Sequence, residues 1–195
     1  LKKPVKVVYI QKSKGYTGRS ALLAADIEKI VRTVREEGSS AVILVDNCYG
    51  EFVETCEPCH VGADLCAGSL IKNPGGGLAL TGGYIVGRRD LIESISYRMT
   101  SPGIGGECGL TFGQTRTMLQ GLFMAPKVVN GAVKGAILCG QVFQALGYEV
   151  CPEPSDERSD IIQAVRLRSP EAVIAFCQGI QAAAPIDSHV VPVPW

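Results

Sequence analysis

The feature that most constrains this chain is an uninterrupted apolar run, Ala41-Val42-Ile43-Leu44-Val45, that stops on a carboxylate, Asp46. Five residues are far too few to cross a membrane. The run also lacks the in-out alternation of a strand with one wet face, so it reads as a strand covered on both faces, the habit of parallel sheets. A second strand, Val5-Lys6-Val7-Val8-Tyr9-Ile10, lies upstream. Between the two, a polar stretch from Gln11 to Arg19 is followed by Ile27, Ile30, Val31 and Val34 on one helical face, and the helix ends at Gly38. Strand, helix, buried strand is the repeating unit of an α/β fold, with a right-handed crossover as the default connection. In such sheets ligands gather at the carboxyl ends of the strands, where Asp46 stands.

The same reading continues along the chain. Ala63–Ala67 and Gly83–Val86 are strand candidates, and Asp90–Tyr97 is a short helix candidate. From Arg116 to Leu146, Met118, Leu122, Val129, Val133, Ile137 and Phe143 recur at helical spacing, with Pro126 expected to kink or split the helix and Gly147 to end it. Tyr148–Cys151 is a further strand candidate. Ser169-Pro170-Glu171 has the form of an N-cap with proline in the first turn, opening a helix to about Ala183. The change of pattern places a domain boundary near 146: residues 1–146 form the later part of a large domain, and 147–195 begin a small C-terminal domain.

Lys+Arg and Asp+Glu are both 19, so the formal net charge is zero and nothing favours a nucleic-acid or membrane surface. The eight cysteines are about 4% of the chain, below the ~8–10% of a disulfide scaffold. Cys66, Cys139 and Cys177 sit in apolar stretches and read as buried free thiols, which suits a reducing cytoplasm. No basic-then-apolar leader opens the chain, and both ends, Leu1 and Trp195, read as cuts, so a fragment is expected.

Chemistry concentrates between Asp46 and Gly87. Lys72 follows the apolar pair Leu70-Ile71 and precedes Asn73-Pro74-Gly75-Gly76-Gly77, a turn that no regular element continues through. On spacing alone a solvated loop lysine is the commoner outcome. Cys56-Glu57-Pro58-Cys59-His60 matches a haem-attachment pattern, but that chemistry needs export, and a zinc site wants four ligands where only His60 and His189 supply imidazole. The segment therefore reads as a surface loop with incidental cysteines, and no metal is expected.

Several long motifs in one order resemble a known family. They are Asp46-Asn47-Cys48-Tyr49-Gly50-Glu51-Phe52, Gly62-Ala63-Asp64, Gly68-Ser69-Leu70-Ile71-Lys72-Asn73-Pro74-Gly75-Gly76-Gly77, Thr111-Phe112-Gly113-Gln114-Thr115-Arg116 and Ala175-Phe176-Cys177-Gln178-Gly179-Ile180-Gln181. Together they resemble the aluminium-resistance, methionine gamma-lyase-like branch of the cystathionine and methionine lyases. That resemblance implies an enzyme dependent on pyridoxal 5'-phosphate (PLP) with the aspartate-aminotransferase fold (fold type I): a mostly parallel sheet in the large domain and an α+β C-terminal domain. It implies that Lys72 holds PLP as a Schiff base, that Asp46 pairs with the pyridine nitrogen, and that Ser69 holds the phosphate. The chemistry is coherent, since PLP needs a protonated ring nitrogen and an amine activated by desolvation or a neighbouring cation. A freed Lys72 amine can then move protons between substrate carbons.

The implied activity is carbon–sulfur lysis of a sulfur amino acid by elimination, in a homodimer or homotetramer with sites built across the interface. The rivals are a transaminase or other PLP enzyme, and a non-catalytic PLP-binding stress-response protein. One departure stands out. Gln11–Arg19 replaces the family's Asn-Pro loop, leaving Lys12, Tyr16 or Arg19 to contact the cofactor's phenolic oxygen or, equally, a solvated basic loop. Tyr49 is a pocket candidate set against a packed core tyrosine, and no arginine is assignable to the substrate carboxylate.

Overall fold

The computed structural model describes residues 5–109 and 111–194, so Leu1 and Trp195, read above as cut ends, lie outside the described residues. Strands β1 (Val7–Gln11), β2 (Val42–Asp46), β3 (Leu65–Ser69) and β4 (Gly83–Gly87) form one sheet in the order β1-β2-β3-β4. The first three run parallel, with Gln11 beside Asp46 and Asp46 beside Ala67, and β4 returns antiparallel to β3. The sheet is therefore mixed.

Helix α1 (Ala24–Glu36) covers one face. Ile27 and Val31 pack on Ile10, Ile43 and Val45, and Ile27, Ile43 and Val45 are fully buried. The expected burial of β2 on both faces is complete on this side, while Val42 and Leu44 opposite are half-buried. Near the amino ends of the strands, buried Asp64 accepts a hydrogen bond from the Ile43 backbone N–H and pairs with Arg35 of α1 and Arg88 after β4. Desolvation pushes its carboxyl up, but those donors and charges outweigh it and hold Asp64 below its ordinary value. This motif residue ties three elements together at the end of the sheet away from Asp46.

Helix α2 (Arg89–Met99) follows β4. Helix α3 (Thr115–Ala145) runs without a break through Pro126, which corrects the expectation of a split. Gly147, at φ +82°, ends it in the left-handed form that glycine tolerates. By length and composition alone α3 could cross a membrane. The longest apolar run in the sequence hid this because Lys127 and Lys134 interrupt the pattern. Its buried positions, Gly121, Ala125, Val129, Ala136 and Gly140, are mostly small, and they seat it against the rest of the chain. Strands β5 (Glu149–Cys151) and β6 (Ala164–Arg166) pair antiparallel as a separate two-stranded sheet, and α4 (Pro170–Ala183) follows. The Ser169 hydroxyl accepts from the Ala172 N–H, the cap its sequence signals.

The expectation of buried thiols fails in part: Cys66 is buried, Cys139 is half-buried, Cys177 is exposed, and all eight cysteines are free.

Candidate active site

The carboxyl end of β2 hands the chain directly into the site. The Asp46 carboxylate accepts from the Tyr9 hydroxyl at 2.9 Å through Oδ2 and from the Cys48 backbone N–H at 3.0 Å through Oδ1. Tyr49 follows with φ +71°, a left-handed conformation that is uncommon and costly for an aromatic residue. This turn carries its ring beneath Lys72, whose Nζ lies 4.3 Å from the ring centroid. Tyr49 is thus a wall of the site, in a hollow of about 410 Å³ shared with Ile71, Asn73 and Val129. It is not a packed core tyrosine.

Lys72 stands just beyond β3, where a short 3-10 turn, Asn73–Gly75, begins. Ser69 closes the strand opposite Gly83, and its carbonyl accepts from the Lys72 N–H at 3.3 Å. The turn is pinned from two sides. The buried Asn73 amide donates to the Glu51 carbonyl at 3.0 Å. Gly75 and Gly76 lie directly on Gly121 of α3, so that a methyl group at Gly76 would run into the Gly121 carbonyl and one at Gly121 into the Gly75 carbonyl. No side chain cushions this contact.

Burial pulls the Lys72 ammonium down, but the Cys48 sulfur and the Tyr49 hydroxyl beside it outweigh burial and hold it above its ordinary value. This corrects the simple expectation of an amine activated by desolvation or by a neighbouring cation, because its immediate neighbours are acidic groups. The Cys48 thiol is raised, first by burial and then by Asp46. Tyr9 is raised for the same two reasons. Asp46, Cys48, Tyr49 and Lys72 therefore form one connected cluster, with Ser69 three residues from the lysine. Neither Tyr9 nor Cys48 was singled out from the sequence; Tyr9 alternates onto the same face of β1 as Gln11, the neighbour of Asp46, and that register is the signal that could have found it.

The loop at 11–19 is solvated only in part: Lys12, Ser13 and Lys14 are buried, while Tyr16 to Arg19 are exposed. Lys12 is fully buried, its Nζ 2.9 Å from Glu54 Oε2 in an ion pair off the hydrogen-bond axis, and Glu54 also accepts from the first N–H of α1. The Ser13 hydroxyl donates to Asp160 at 2.8 Å, and Lys14 Nζ lies 3.0 Å from Cys151 Sγ. Arg19 donates to the carbonyls of Gln11 and Ser13 at 2.7 Å. Ser13 and Lys14 bind the loop to the second sheet's neighbourhood, Arg19 ties it to itself, and Tyr16 points fully into solvent.

The Cys56–His60 segment is likewise no incidental surface loop. Pro58 is buried, the His60 Nδ1 accepts from the Glu57 N–H at 3.0 Å, and Cys59 is turned toward β3 and β4.

The site suits a PLP-like group on two observations. Both Asp46 oxygens keep a lone pair beyond the donors they already accept, so a ring N–H has somewhere to bind. The amine of Lys72 stands beside them through Cys48 and Tyr49, on a fixed turn.

A family model described as methionine gamma-lyase matches residues 1–195. The YnbB protein of Bacillus subtilis is 53% identical over 189 residues, which cover 97% of this chain and 45% of YnbB. A solved carbon–sulfur lyase involved in aluminium resistance from Clostridium novyi superposes with a TM-score of 0.93 at 53% identity, covering 98% of this chain and 45% of that one. A candidate cystathionine beta-lyase involved in aluminium resistance from Clostridium acetobutylicum gives a TM-score of 0.94 at 49% identity, covering 98% of this chain and 46% of that one. The chain thus spans about half the length of these relatives.

Proposed function

The chain belongs to the methionine gamma-lyase family, and from that premise we propose that the full-length protein is a PLP-dependent carbon–sulfur lyase of the aminotransferase fold, acting on a sulfur amino acid by elimination. The observation that carries the reading is the delivery of Asp46 and Lys72 to one end of the sheet, joined through Cys48 and Tyr49. In this reading residues 1–146 belong to the cofactor-binding domain and 147–195 open the small domain, in a cytoplasmic homo-oligomer.

PLP, when bound, supplies an electron sink for charge developing on the substrate carbons. Asp46 keeps a proton on the ring nitrogen; its Tyr9 and Cys48 hydrogen bonds fix the carboxylate's direction. Lys72 would hold the cofactor through its amine, and as a free amine its Nζ would carry a proton between substrate carbons. Cys48 and Tyr49 favour the protonated form of the free Lys72 amine. Ser69 offers a hydroxyl to the phosphate.

Borohydride reduction of the full-length holoenzyme, digestion and mass spectrometry test the assignment. The pyridoxyl group is expected on Lys72; finding it on another lysine rejects the site. A substrate screen tests the reaction. Release of a thiol with a keto acid supports the lyase, whereas amino transfer to an added keto acid identifies a transaminase and overturns it.

A further inference from the structure

We propose that Cys59 and Cys66 form an oxidisable dithiol, a modification site at which a small peroxide joins the two sulfurs in an intramolecular disulfide. Cys59 sits in the short turn Pro58–Val61, which packs against β3. Its Sγ lies 3.8 Å from the carbonyl oxygen of Val86, and Val86 is the residue directly opposite Cys66 in the β3–β4 pairing. Both thiols line one cavity of about 370 Å³, largely apolar, with Glu51, Tyr84 and Leu122 on its walls. That volume admits a peroxide with room to spare.

The two sulfurs are not equivalent. Cys66 is 2% exposed, whereas Cys59 is half-buried and reaches the cavity. The hydrogen bond from Cys66 is the largest influence on Cys59 and lowers it; burial opposes this without reversing it. The same bond, with burial, pushes Cys66 up. Cys59, the more exposed of the two, is the one a peroxide reaches first, which makes it the nucleophile and Cys66 the resolving thiol.

The chemistry balances. The Cys59 thiolate attacks one peroxide oxygen, the O–O bond breaks, and the departing hydroxide takes a proton to become water, leaving a sulfenic acid on Cys59. The Cys66 sulfur then attacks the Cys59 sulfur and the S–O bond breaks. The hydroxide released takes the Cys66 proton as a second water. Two electrons pass from the two sulfurs to the peroxide.

The test uses the full-length protein with about one equivalent of hydrogen peroxide, followed by alkylation of the remaining thiols. Digestion with a protease that cuts at Asp64 separates the two cysteines. The expected product is a cross-linked pair of peptides joined through Cys59 and Cys66, lighter by two hydrogens and reversed by reductant. With Cys66→Ser, the Cys59 sulfenic acid should instead persist and be trapped by dimedone. The proposal is overturned if Cys59 and Cys66 both remain alkylatable while the exposed Cys108 or Cys177 is oxidised. A disulfide from Cys59 to another cysteine also overturns it. The readout is a covalent bond, so it stands or falls independently of PLP and lyase activity.

Discussion

Replacing Glu51 with glutamine should convert a pH-dependent protein into one that is less so. Glu51 is 3% exposed. Its Oε1 accepts from the Tyr84 hydroxyl at 2.8 Å, while Oε2 is buried without a hydrogen-bond donor. Gly68 lies beneath the pair: a side chain there would collide with both Glu51 and Tyr84. Burial pushes the Glu51 carboxyl from 4.5 up to about 7. A buried acid held up in this way favours the folded state while both forms are protonated-like, at or below its unfolded value. As pH rises from there through about 7, the folded protein must either hold a proton the unfolded chain has released or bury a charge. The span between 4.5 and about 7 corresponds to about 3 kcal/mol of stability lost on the alkaline side. Glu51→Gln preserves the shape and the acceptor for Tyr84 but cannot ionise. Melting of the full-length wild type and the variant, compared from about pH 5 to pH 8.5, should show the variant gaining relative stability steadily from the acid end and levelling off near 7. A difference that stays flat across this range would refute the reasoning, because it means that the carboxylate is solvated or paired.

Three further outcomes can be checked directly. Gly121→Ala should cost about 1–3 kcal/mol and lower PLP occupancy, because its methyl group meets the Gly75 carbonyl; Gly131→Ala on the same helix meets nothing within 4 Å and should cost nothing. Asp160→Ala strands the Ser13 hydroxyl and the Ile162 N–H, which it now accepts at 2.8 and 3.0 Å, and should lower stability by about 2 kcal/mol or more in thermal unfolding. Asp46→Asn should leave the borohydride-trapped lysine adduct intact while turnover falls by orders of magnitude, and unchanged turnover in the folded variant removes the ring-nitrogen role.

What was legible in the sequence was what local physics dictates. The Ala41–Val45 run became β2, fully buried on the α1 side and half-buried on the other, so neither face asks for polar residues, and Ser169-Pro170 became a capped helix start because its hydroxyl finds the Ala172 N–H. The direction of β4 was not legible, since short strands carry no mark of parallel or antiparallel pairing. Strand β6, three residues of Ala-Val-Arg, has no pattern at all. The burial of the first half of the 11–19 loop was not legible, because that of Lys12, Ser13 and Lys14 depends on Glu54, Cys151 and Asp160, partners distant in sequence. Within the site, Asp46, Ser69 and Lys72 came from motif resemblance. The ring under Lys72 required the backbone turn at Tyr49, which residue type alone argues against.

The glycine-on-glycine seat beneath Lys72 has a mechanical consequence. Side chains between two elements can change rotamer and absorb small displacements; a backbone carbonyl resting on a backbone methylene has no such slack. Helix α3 is 31 residues long, and its far end presses Gly140 against Gln163, just ahead of β6. The rigid bearing is thus at the Lys72 end alone, because the contact at Gly140 is with a side chain. The height of Lys72 is therefore set by where α3 lies against the Gly75–Gly76 turn, and a shift of the helix there moves the turn with it.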